Sequence, residues 1–343
     1  MGTKPLVKVV DSFGVREFFS RYEKQLGTYL VAGDKGFRRT IREKSVNRPS
    51  LALTGYLEHF AHKRLQLFGM GEMGYLREMP HERQLRLLEA IADKGIPCMV
   101  VSRNLAPTKA MIQVAEERKI PLYRTPLSTK DFTTTCTIFL ELVFAETVTL
   151  HGVMMDIRGM GVLIRGESGI GKSECAIGLL NRGHSLVADD MVYVRLLNEQ
   201  ELVATSSDMA RGYIECRGLG IVNVVQLYGV RALCREKRVD LVVTFVEWTQ
   251  ALDHDRSGLD QQCFEILGQK TPHIIIPISP GRDLAQLAEA AAMVQLLRRD
   301  GHDPAIEFNE RQKAFILQQQ NVAAKTSQDK EEDPTGNPDE EDS

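Results

Sequence analysis

The stretch GESGIGKS at 166–173 has the spacing of a phosphate-binding loop, in which a lysine and a serine follow the last glycine. The apolar run GVLIR precedes it and SECAIGLLNRG follows with helical spacing, so backbone amides and a helix N-terminus should converge on phosphate. We predict that Lys172 contacts the β- and γ-phosphates and that the Ser173 hydroxyl holds Mg²⁺. A glycine-rich turn that matches by chance is the alternative. The predicted nucleotide-binding residues are Gly166, Glu167, Ser168, Gly169, Ile170, Gly171, Lys172 and Ser173.

Two adjacent carboxylates, Asp189 and Asp190, follow the apolar run SLVA. A strand that ends in Asp resembles the Walker B element, which places a carboxylate near the metal of a phosphate-binding loop. Neighbouring side chains at a strand end point in opposite directions, so one carboxylate could hold Mg²⁺ while the other accepts a proton from an attacking hydroxyl. A surface turn or a helix cap is the alternative explanation of the pair.

Other polar residues are less informative when they are taken alone. His151 lies on a predicted strand, where a single histidine is more often structural than catalytic. Arg256, within DHDRSGLD, could contact phosphate or be an exposed loop charge. His59 and His62 are three residues apart in EHFAHKRLQLFG, whose pattern predicts a helix, and no other ligand lies nearby in the sequence. We interpret this histidine pair as part of a solvated helix face.

The elements around these residues indicate an α/β protein with two domains. In the N-terminal part, the amphipathic run HERQLRLLEAIADKG leads into the β-rich run IPCMVVSR, the order of an α/β layer. Farther on, VTLHGVMMDI and GVLIRG read as strands joined by the short turn RGMG, so they should pair antiparallel and give a mixed sheet. We predict an α/β domain over 1–146, a phosphate-binding-loop domain over 147–320 and an acidic disordered tail over 321–343.

Composition narrows the classes of function. The 343 residues carry a net charge of −3, of which residues 325–343 contribute −6, so the rest of the chain is only mildly basic. That balance disfavours a nucleic-acid binder. No apolar run approaches the roughly 20 residues that span a bilayer, and no secretory signal is evident, so we expect a cytoplasmic protein without a membrane partner. The six cysteines are scattered without a CxxC pair and should be reduced thiols.

Three segments together resemble the HPr kinase/phosphorylase family, bacterial enzymes that phosphorylate and dephosphorylate a serine of the phosphocarrier HPr and so regulate carbon metabolism. These segments are LHGVMMDIRGMGVLIRGESGIGKSE, RGHSLVADD and IECRGLGIVNV. The resemblance extends over about residues 5–310. It implies a catalytic domain like the phosphoenolpyruvate carboxykinase type, ATP as phosphoryl donor, Mg²⁺, a reverse reaction that consumes phosphate and yields pyrophosphate, and a homohexamer. The partner is expected to be HPr or a relative of it.

The resemblance also implies a role for individual residues. Asp190 matches the general base of phosphorylation, which acts as general acid in the reverse direction. The stretch 214–223 matches a region needed in both directions. Asp189 is assigned to the metal on chemical grounds, as the Walker-B-like carboxylate. The catalytic set implied by the family is His151, Lys172, Asp190 and Arg256, and the metal set is Ser173, Glu215 and Asp189.

One loop departs from the family pattern. Residues 277–282 read PISPGR where the family has a sequence close to PVRPGR, so Ser279 stands in the place of an arginine. The family uses this loop in dephosphorylation. Loss of a guanidinium that grips phosphate should weaken the binding of inorganic phosphate more than the binding of ATP. We therefore expect a retained kinase activity and a reduced phosphorolysis.

Two other functions remain open from the sequence. A kinase for a small metabolite would share the hairpin before the loop, but it would not explain IECRGLGIVNV. A nucleotide sensor without catalysis would bind ATP and transfer nothing, which the set Lys172, Ser173, Asp190 and Glu215 disfavours. A GTPase is disfavoured because no NKxD motif occurs.

Overall fold

The computed structural model describes residues 7–36, 38–248, 261–279 and 281–331, with 320–331 described by their backbone alone. The chain divides into two compact units. One comprises Met1–Val148 with Arg195–Leu202, and the other comprises Thr149–Val194 with Val203–Ser343. The division predicted from the sequence, at 146/147 and 320/321, stays a prediction.

The first unit alternates strands and helices. Its strands are β1 (Val7–Lys8), β2 (Phe13–Gly14), β3 (Tyr29–Ala32), β4 (Thr40–Ile41), β5 (Val46–Asn47), β6 (Leu65–Phe68), β7 (Met99–Val101) and β8 (Leu122–Arg124). Its helices are α1 (Val15–Arg21), α2 (Glu23–Leu26), α3 (Met70–Arg77), α4 (His81–Asp93), α5 (Lys109–Glu117) and α6 (Thr129–Phe144).

A five-stranded sheet in the order β3-β8-β7-β6-β5 forms the centre of the first unit. The strands β5 to β8 are parallel, and β3 is an antiparallel edge. Strands β6 and β7 are buried along their whole length, as expected of parallel strands covered on both faces. The amphipathic α4 buries Leu88, Ile91 and Ala92 against this sheet, at the spacing of one helix face.

The predicted helix at EHFAHKRLQLFG is wrong. Residues 55–64 form turns in the structure, and the apolar run that follows them is strand β6. The four consecutive buried residues of β6 have no helical period, and a run this short can be a strand buried on both faces. His59 and His62 therefore do not share a helix face, and the Nδ1 of His62 lies 3.3 Å from the carbonyl oxygen of Phe60.

A buried carboxylate fixes the start of α3. Glu72, whose side chain is 1% exposed, accepts hydrogen bonds from the Arg48 guanidinium at 3.0 and 3.1 Å, from the Ser50 hydroxyl, and from the amide of Gly69 at 2.9 Å. Burial alone would raise the pKa of Glu72, but these donors outweigh burial and the pKa is lowered. Ionised Glu72 is therefore part of what holds this unit together.

We expect Glu72→Gln to destabilise the protein by about 2–4 kcal/mol, because the amide cannot satisfy all the donors that face a carboxylate. A carboxyl group with a lowered folded pKa stabilises above its unfolded pKa and loses that stabilisation as pH falls through the folded value. The free energies of unfolding of the unaltered protein and of Glu72→Gln, measured in urea, should therefore differ fully at neutral pH and differ less under acidic conditions. Glu17→Gln is the matched control, since Glu17 is 59% exposed in its pair with Arg21. A difference that is independent of pH would contradict the ionised state.

The chain from residue 147 onward supplies the remaining elements. The strands are β9 (Thr147–His151), β10 (Val153–Ile157), β11 (Met160–Gly166), β12 (Ser185–Ala188), β13 (Met191–Leu197), β14 (Glu201–Thr205), β15 (Tyr213–Cys216), β16 (Gly220–Asn223), β17 (Glu236–Arg238), β18 (Leu241–Glu247), β19 (Gln262–Ile266) and β20 (Gln269–Ile278). The helices are α7 (Lys172–Asn181), α8 (Val224–Tyr228), α9 (Leu284–Arg299) and α10 (Pro304–Glu331).

A six-stranded mixed sheet in the order β12-β10-β11-β18-β20-β19 organises the second unit. Strands β10 and β11 form an antiparallel hairpin, as predicted, and its turn residues Arg158 and Gly159 both have positive φ, the geometry that two-residue hairpins favour. Strands β11, β18 and β20 are parallel neighbours. Helices α7 and α9 cover one face of the sheet and share its hydrophobic core.

The run VTLHGVMMDI, predicted as one strand, is divided at Gly152. Residues before the division belong to β9, which pairs with β1, and those after it belong to β10 of the six-stranded sheet. Gly152 has a φ of 157°, and a Cβ atom there would lie 2.5 Å from the carbonyl oxygen of Ile164. Only glycine fits so close to the neighbouring strand, so the break is specified at this residue.

Helix α10 extends into the segment that we predicted to be a disordered tail. It continues to Glu331, so it includes residues 321–331, which we expected to lack structure, while 332–343 lie outside the described residues. The segment 305–331 contains no Gly or Pro and is rich in Ala, Gln, Glu and Lys, which are good helix formers. None of the described helices combines the length and the apolar composition required to cross a membrane.

Candidate active site

The chemical residues of the second unit lie at one edge of its six-stranded sheet. Strand β11 ends at Gly166 and leads into the phosphate-binding loop, after which α7 begins at Lys172. Strand β12 runs in the same direction as β11, because both are antiparallel to β10, and it ends just before Asp189. Carboxyl ends of strands that run the same way meet at one sheet edge, so the loop and the aspartates are brought together.

Asp189 is the more enclosed of the two carboxylates. Its Oδ2 accepts a hydrogen bond from the amide of Glu215 at 3.0 Å, and its Oδ1 lies 3.5 Å from the Ser173 hydroxyl. Burial raises the pKa of Asp189, the charge of Asp190 raises it further, and the hydrogen bonds from Glu215, Asp190 and Ser173 counteract only part of the rise. The ionised form of Asp189 is thus costly unless a positive charge compensates it.

Asp190 lies in a different environment. Its side chain is 80% exposed, and its Oδ1 is 3.7 Å from the Nδ1 of His151, which is equally exposed. The backbone of Asp190 has a φ of 63°, and a hydrogen bond of 2.8 Å from the amide of Met191 to the carbonyl of Asp189 spans it as a γ-turn. The amide of Gly152 donates to the Asp190 carbonyl at 3.1 Å. This backbone directs the Asp190 carboxylate outward, where an incoming hydroxyl could reach it.

The phosphate-binding loop holds its lysine in place. The Nζ of Lys172 donates hydrogen bonds to the carbonyl oxygens of Gly166 at 3.1 Å and Glu167 at 2.8 Å. Gly166 has a φ of 151°, and a Cβ atom there would lie 2.8 Å from the carbonyl oxygen of Phe245 on β18. A side chain at position 166 would therefore obstruct the path of the loop away from the sheet. The ammonium group of Lys172 is held against the first two residues of this loop.

A cavity of about 180 Å³ joins these groups. Its walls include the loop, Lys172, Ser173, both aspartates and Glu215. Pockets for whole drug-sized ligands measure roughly 300–1,000 Å³, so this volume suits phosphate groups better than a complete nucleotide.

The structure brings together most of the residues predicted from the sequence. His151, the loop 166–173, Asp189, Asp190 and Glu215 all meet at the sheet edge, whereas Arg256 lies outside the described residues. Sequence reasoning did not single out Arg217, which lines the same cavity. A Cβ atom on Gly169 would lie 2.9 Å from the Nη1 of Arg217, so this guanidinium lies against the loop. The signal for it was its place in IECRGLGIVNV.

The donor set suits Mg²⁺ held partly by phosphate. Within the described part of the chain, no group of three or more His, Cys, Asp or Glu side chains is placed to hold a metal ion. Mg²⁺ at phosphate sites usually has one or two carboxylates, and phosphate and water oxygens supply the rest. The hydroxyl of Ser173 and the carboxylate of Asp189 are hard oxygen donors on one side of the cavity.

Comparison with known proteins gives matches over most of the chain. The family described as "HPr Serine kinase C-terminal domain" matches residues 142–312, and "HPr Serine kinase N terminus" matches 13–140. A relative from Leptospira biflexa named "HPr kinase/phosphorylase" is 37% identical over 304 residues, which cover 88% of this chain and 94% of the relative. One of the same name from Geobacter sulfurreducens is 38% identical over 300 residues, with the same coverage.

A solved structure is also similar. The Hpr(Ser) kinase/phosphatase from Coxiella burnetii is 36% identical, with a TM-score of 0.43, and the match covers 47% of this chain and 98% of that one.

Proposed function

Because the chain belongs to the HPr Serine kinase family, we propose that it transfers the γ-phosphoryl group of ATP to a serine of HPr or of a relative. In the opposite direction it removes that group with inorganic phosphate and yields pyrophosphate. The observation that carries this proposal is the convergence of the phosphate-binding loop, Asp189, Asp190 and Glu215 on one cavity.

In the forward reaction the serine hydroxyl attacks the γ-phosphorus in line with the departing ADP. Asp190 accepts the hydroxyl proton as the new O–P bond forms, and its exposed position supports this role. His151, 3.7 Å away, orients the Asp190 carboxylate. In reverse, a phosphate oxygen attacks the phosphoserine, Asp190 takes the proton of that phosphate, and the same proton passes to the departing serine oxygen.

Positive charges offset the negative charge of the transferring group. Lys172 lies in the loop that would surround the β- and γ-phosphates, and the Arg217 guanidinium lies against the same loop at Gly169. The family resemblance implies that a further arginine, Arg256, also offsets the charge of the transferring group. Cations held in place before the reaction stabilise charge that develops on phosphate oxygens.

The proposed metal ligands are Ser173, Asp189 and Glu215. A cation at this place would compensate the ionised Asp189, whose pKa burial raises. When bound, Mg²⁺ would neutralise charge on the phosphate oxygens of ATP.

The family also supports further proposals about the protein as a whole. We infer a homohexameric cytoplasmic enzyme with no nucleic-acid or membrane partner, whose hairpin and phosphate loop are of the phosphoenolpyruvate carboxykinase type. Light scattering of the purified protein tests the hexamer.

Ser279 leads to a prediction about the balance of the two directions. Ser279 is exposed directly after β20, and we expect Ser279→Arg to lower the KM for inorganic phosphate roughly tenfold, because a guanidinium can form two charge-assisted hydrogen bonds to phosphate. Phosphorolysis of phosphoserine-HPr should rise relative to kinase activity. Ser279→Lys, with a point charge, should give a smaller gain. Equal forward and reverse rates in the unaltered protein, with no change on substitution, would contradict the idea.

The proposed function is tested by phosphotransfer with purified HPr. Labelled ATP should place its γ-phosphoryl group on an HPr serine, and a serine-to-alanine HPr should remain unlabelled. Adding phosphate to the labelled product should release labelled pyrophosphate. Label on a small metabolite of a cell extract, and none on HPr, would instead favour the metabolite kinase.

A further inference from the structure

The cavity described above suits the phosphates, so the remainder of a bound nucleotide must lie beyond it. Its direction follows from the order of the strands. Asp189 and Asp190 lie on the β12 side of the phosphate-binding loop, and β18 and β20 lie on the other side. An acceptor serine has to reach the γ-phosphate beside Asp190. With Asp190 in its proposed role, the α-phosphate, ribose and base extend away from it, which is toward the carboxyl ends of β18 and β20.

Close contacts connect the loop to these two strand ends. Gly166 is paired with Phe245 on β18, and this strand ends two residues later, immediately before Trp248. At the other end of the loop, a Cβ atom on Gly171 would lie 2.8 Å from Cδ1 of Leu284, which is the first residue of α9. Arg282 is only two residues before Leu284. The loop is thus flanked by the segments that carry Trp248 and Arg282.

Trp248 and Arg282, which these two segments carry, are neighbours in the structure. The indole of Trp248 is 48% exposed, and the guanidinium carbon of Arg282 lies 5.9 Å from the ring centroid. The Nη1 of Arg282 also donates to the carbonyl oxygen of Pro277 at 3.1 Å, which restrains the guanidinium. An exposed aromatic ring with a planar cation next to it can stack a heterocyclic base.

We propose that Trp248 and Arg282 form the nucleobase subsite of this phosphate-binding loop, with the purine of the nucleotide stacked on the indole. The inference rests on the proposed function for the nature of the ligand, a nucleoside triphosphate. Because stacking uses the face of the ring, which every base possesses, this subsite contributes affinity with little discrimination between adenine and guanine. The absence of an NKxD motif from the sequence is consistent with such a subsite.

The test compares a ligand with a base against one without a base. Calorimetry is performed with ATP and with tripolyphosphate, each with Mg²⁺, on the full chain. Trp248→Ala should weaken ATP binding by roughly 5- to 150-fold, which is the range of base–aromatic stacking, and leave tripolyphosphate binding unchanged. Trp248→Phe should retain part of the ATP affinity. Tyr56→Ala is the matched control, since Tyr56 is an aromatic residue of the first unit with a similar exposure of 44%.

Trp248 is the only tryptophan of the chain, so its fluorescence reports on the same contact. ATP should change the emission of the unaltered protein, and tripolyphosphate should leave it nearly constant. Equal ATP affinity in the Trp248→Ala and unaltered proteins would overturn the subsite, as would an equal loss of affinity for both ligands.

The same measurements separate this inference from the proposed function. ATP binding that depends on Trp248, without transfer to HPr, would overturn the proposed function and leave the subsite in place. Transfer to HPr with ATP affinity independent of Trp248 would overturn the subsite alone. If the unaltered chain binds neither ligand, both are overturned.

Discussion

An Asp190→Asn variant is expected to lose about 10²- to 10⁴-fold in the rate of phosphoryl transfer to HPr, the range that a general base contributes. ATP affinity should be retained or somewhat raised, because the amide removes a negative charge from the phosphate cavity and leaves the hydrogen bonds of Asp189 with Ser173 and Glu215 in place. Single-turnover transfer from labelled ATP measures the loss, and calorimetry measures the affinity. The loss should affect both directions, since the proposed mechanism passes a proton through this carboxylate in each of them.

The neighbouring carboxylate provides the control for this prediction. Asp189→Asn should change the dependence of transfer on Mg²⁺ concentration, since Asp189 is the proposed metal ligand, whereas Asp190→Asn should not. If Asp190→Asn instead kept transfer but changed its Mg²⁺ requirement, while Asp189→Asn lost transfer at every Mg²⁺ concentration, the two roles would have to be exchanged.

The second large effect is expected for Lys172→Ala. Loss of one preorganised donor to developing charge lowers kcat by roughly 10²- to 10³-fold. Because Lys172 would contact the phosphates of bound ATP as well as of the transition state, ATP affinity should also fall, unlike in Asp190→Asn. Steady-state kinetics at several ATP concentrations separates the two effects.

Lys130→Ala is the matched control for Lys172→Ala, because Lys130 is exposed on α6 and belongs to the first unit. A Lys172→Ala enzyme with normal kcat and only a raised KM would show that the ammonium binds ground state and transition state equally, and would remove Lys172 from the catalytic set.

The features that could be predicted from the sequence are those whose residues lie next to one another in the chain. The loop 166–173 was predicted because its glycines, lysine and serine are adjacent and the flanking runs show their periods. The antiparallel hairpin before it was predicted from a turn too short for a crossover connection. Asp189 and Asp190 could be found because they end an apolar run.

The remaining features depend on contacts between distant residues. No spacing in the sequence indicates that β18 lies between β11 and β20, so the sequence could not place the end of β18 next to the strand that leads into the loop. Arg217 reaches the loop through the β15–β16 hairpin, whose position is a tertiary property. The segment before β6 was misread because a strand buried on both faces has no alternation that separates it from a helix.

The γ-turn at Asp190 has a consequence for the evolution of the protein. A non-glycine residue with positive φ in such a turn costs roughly 1–3 kcal/mol, and other interactions of the fold must compensate for it. Glycine at this position would relieve most of that cost and eliminate the carboxylate. Selection for thermal stability alone would therefore favour Asp190→Gly, which removes the proposed general base. Engineering for stability should keep Asp190 and change other positions.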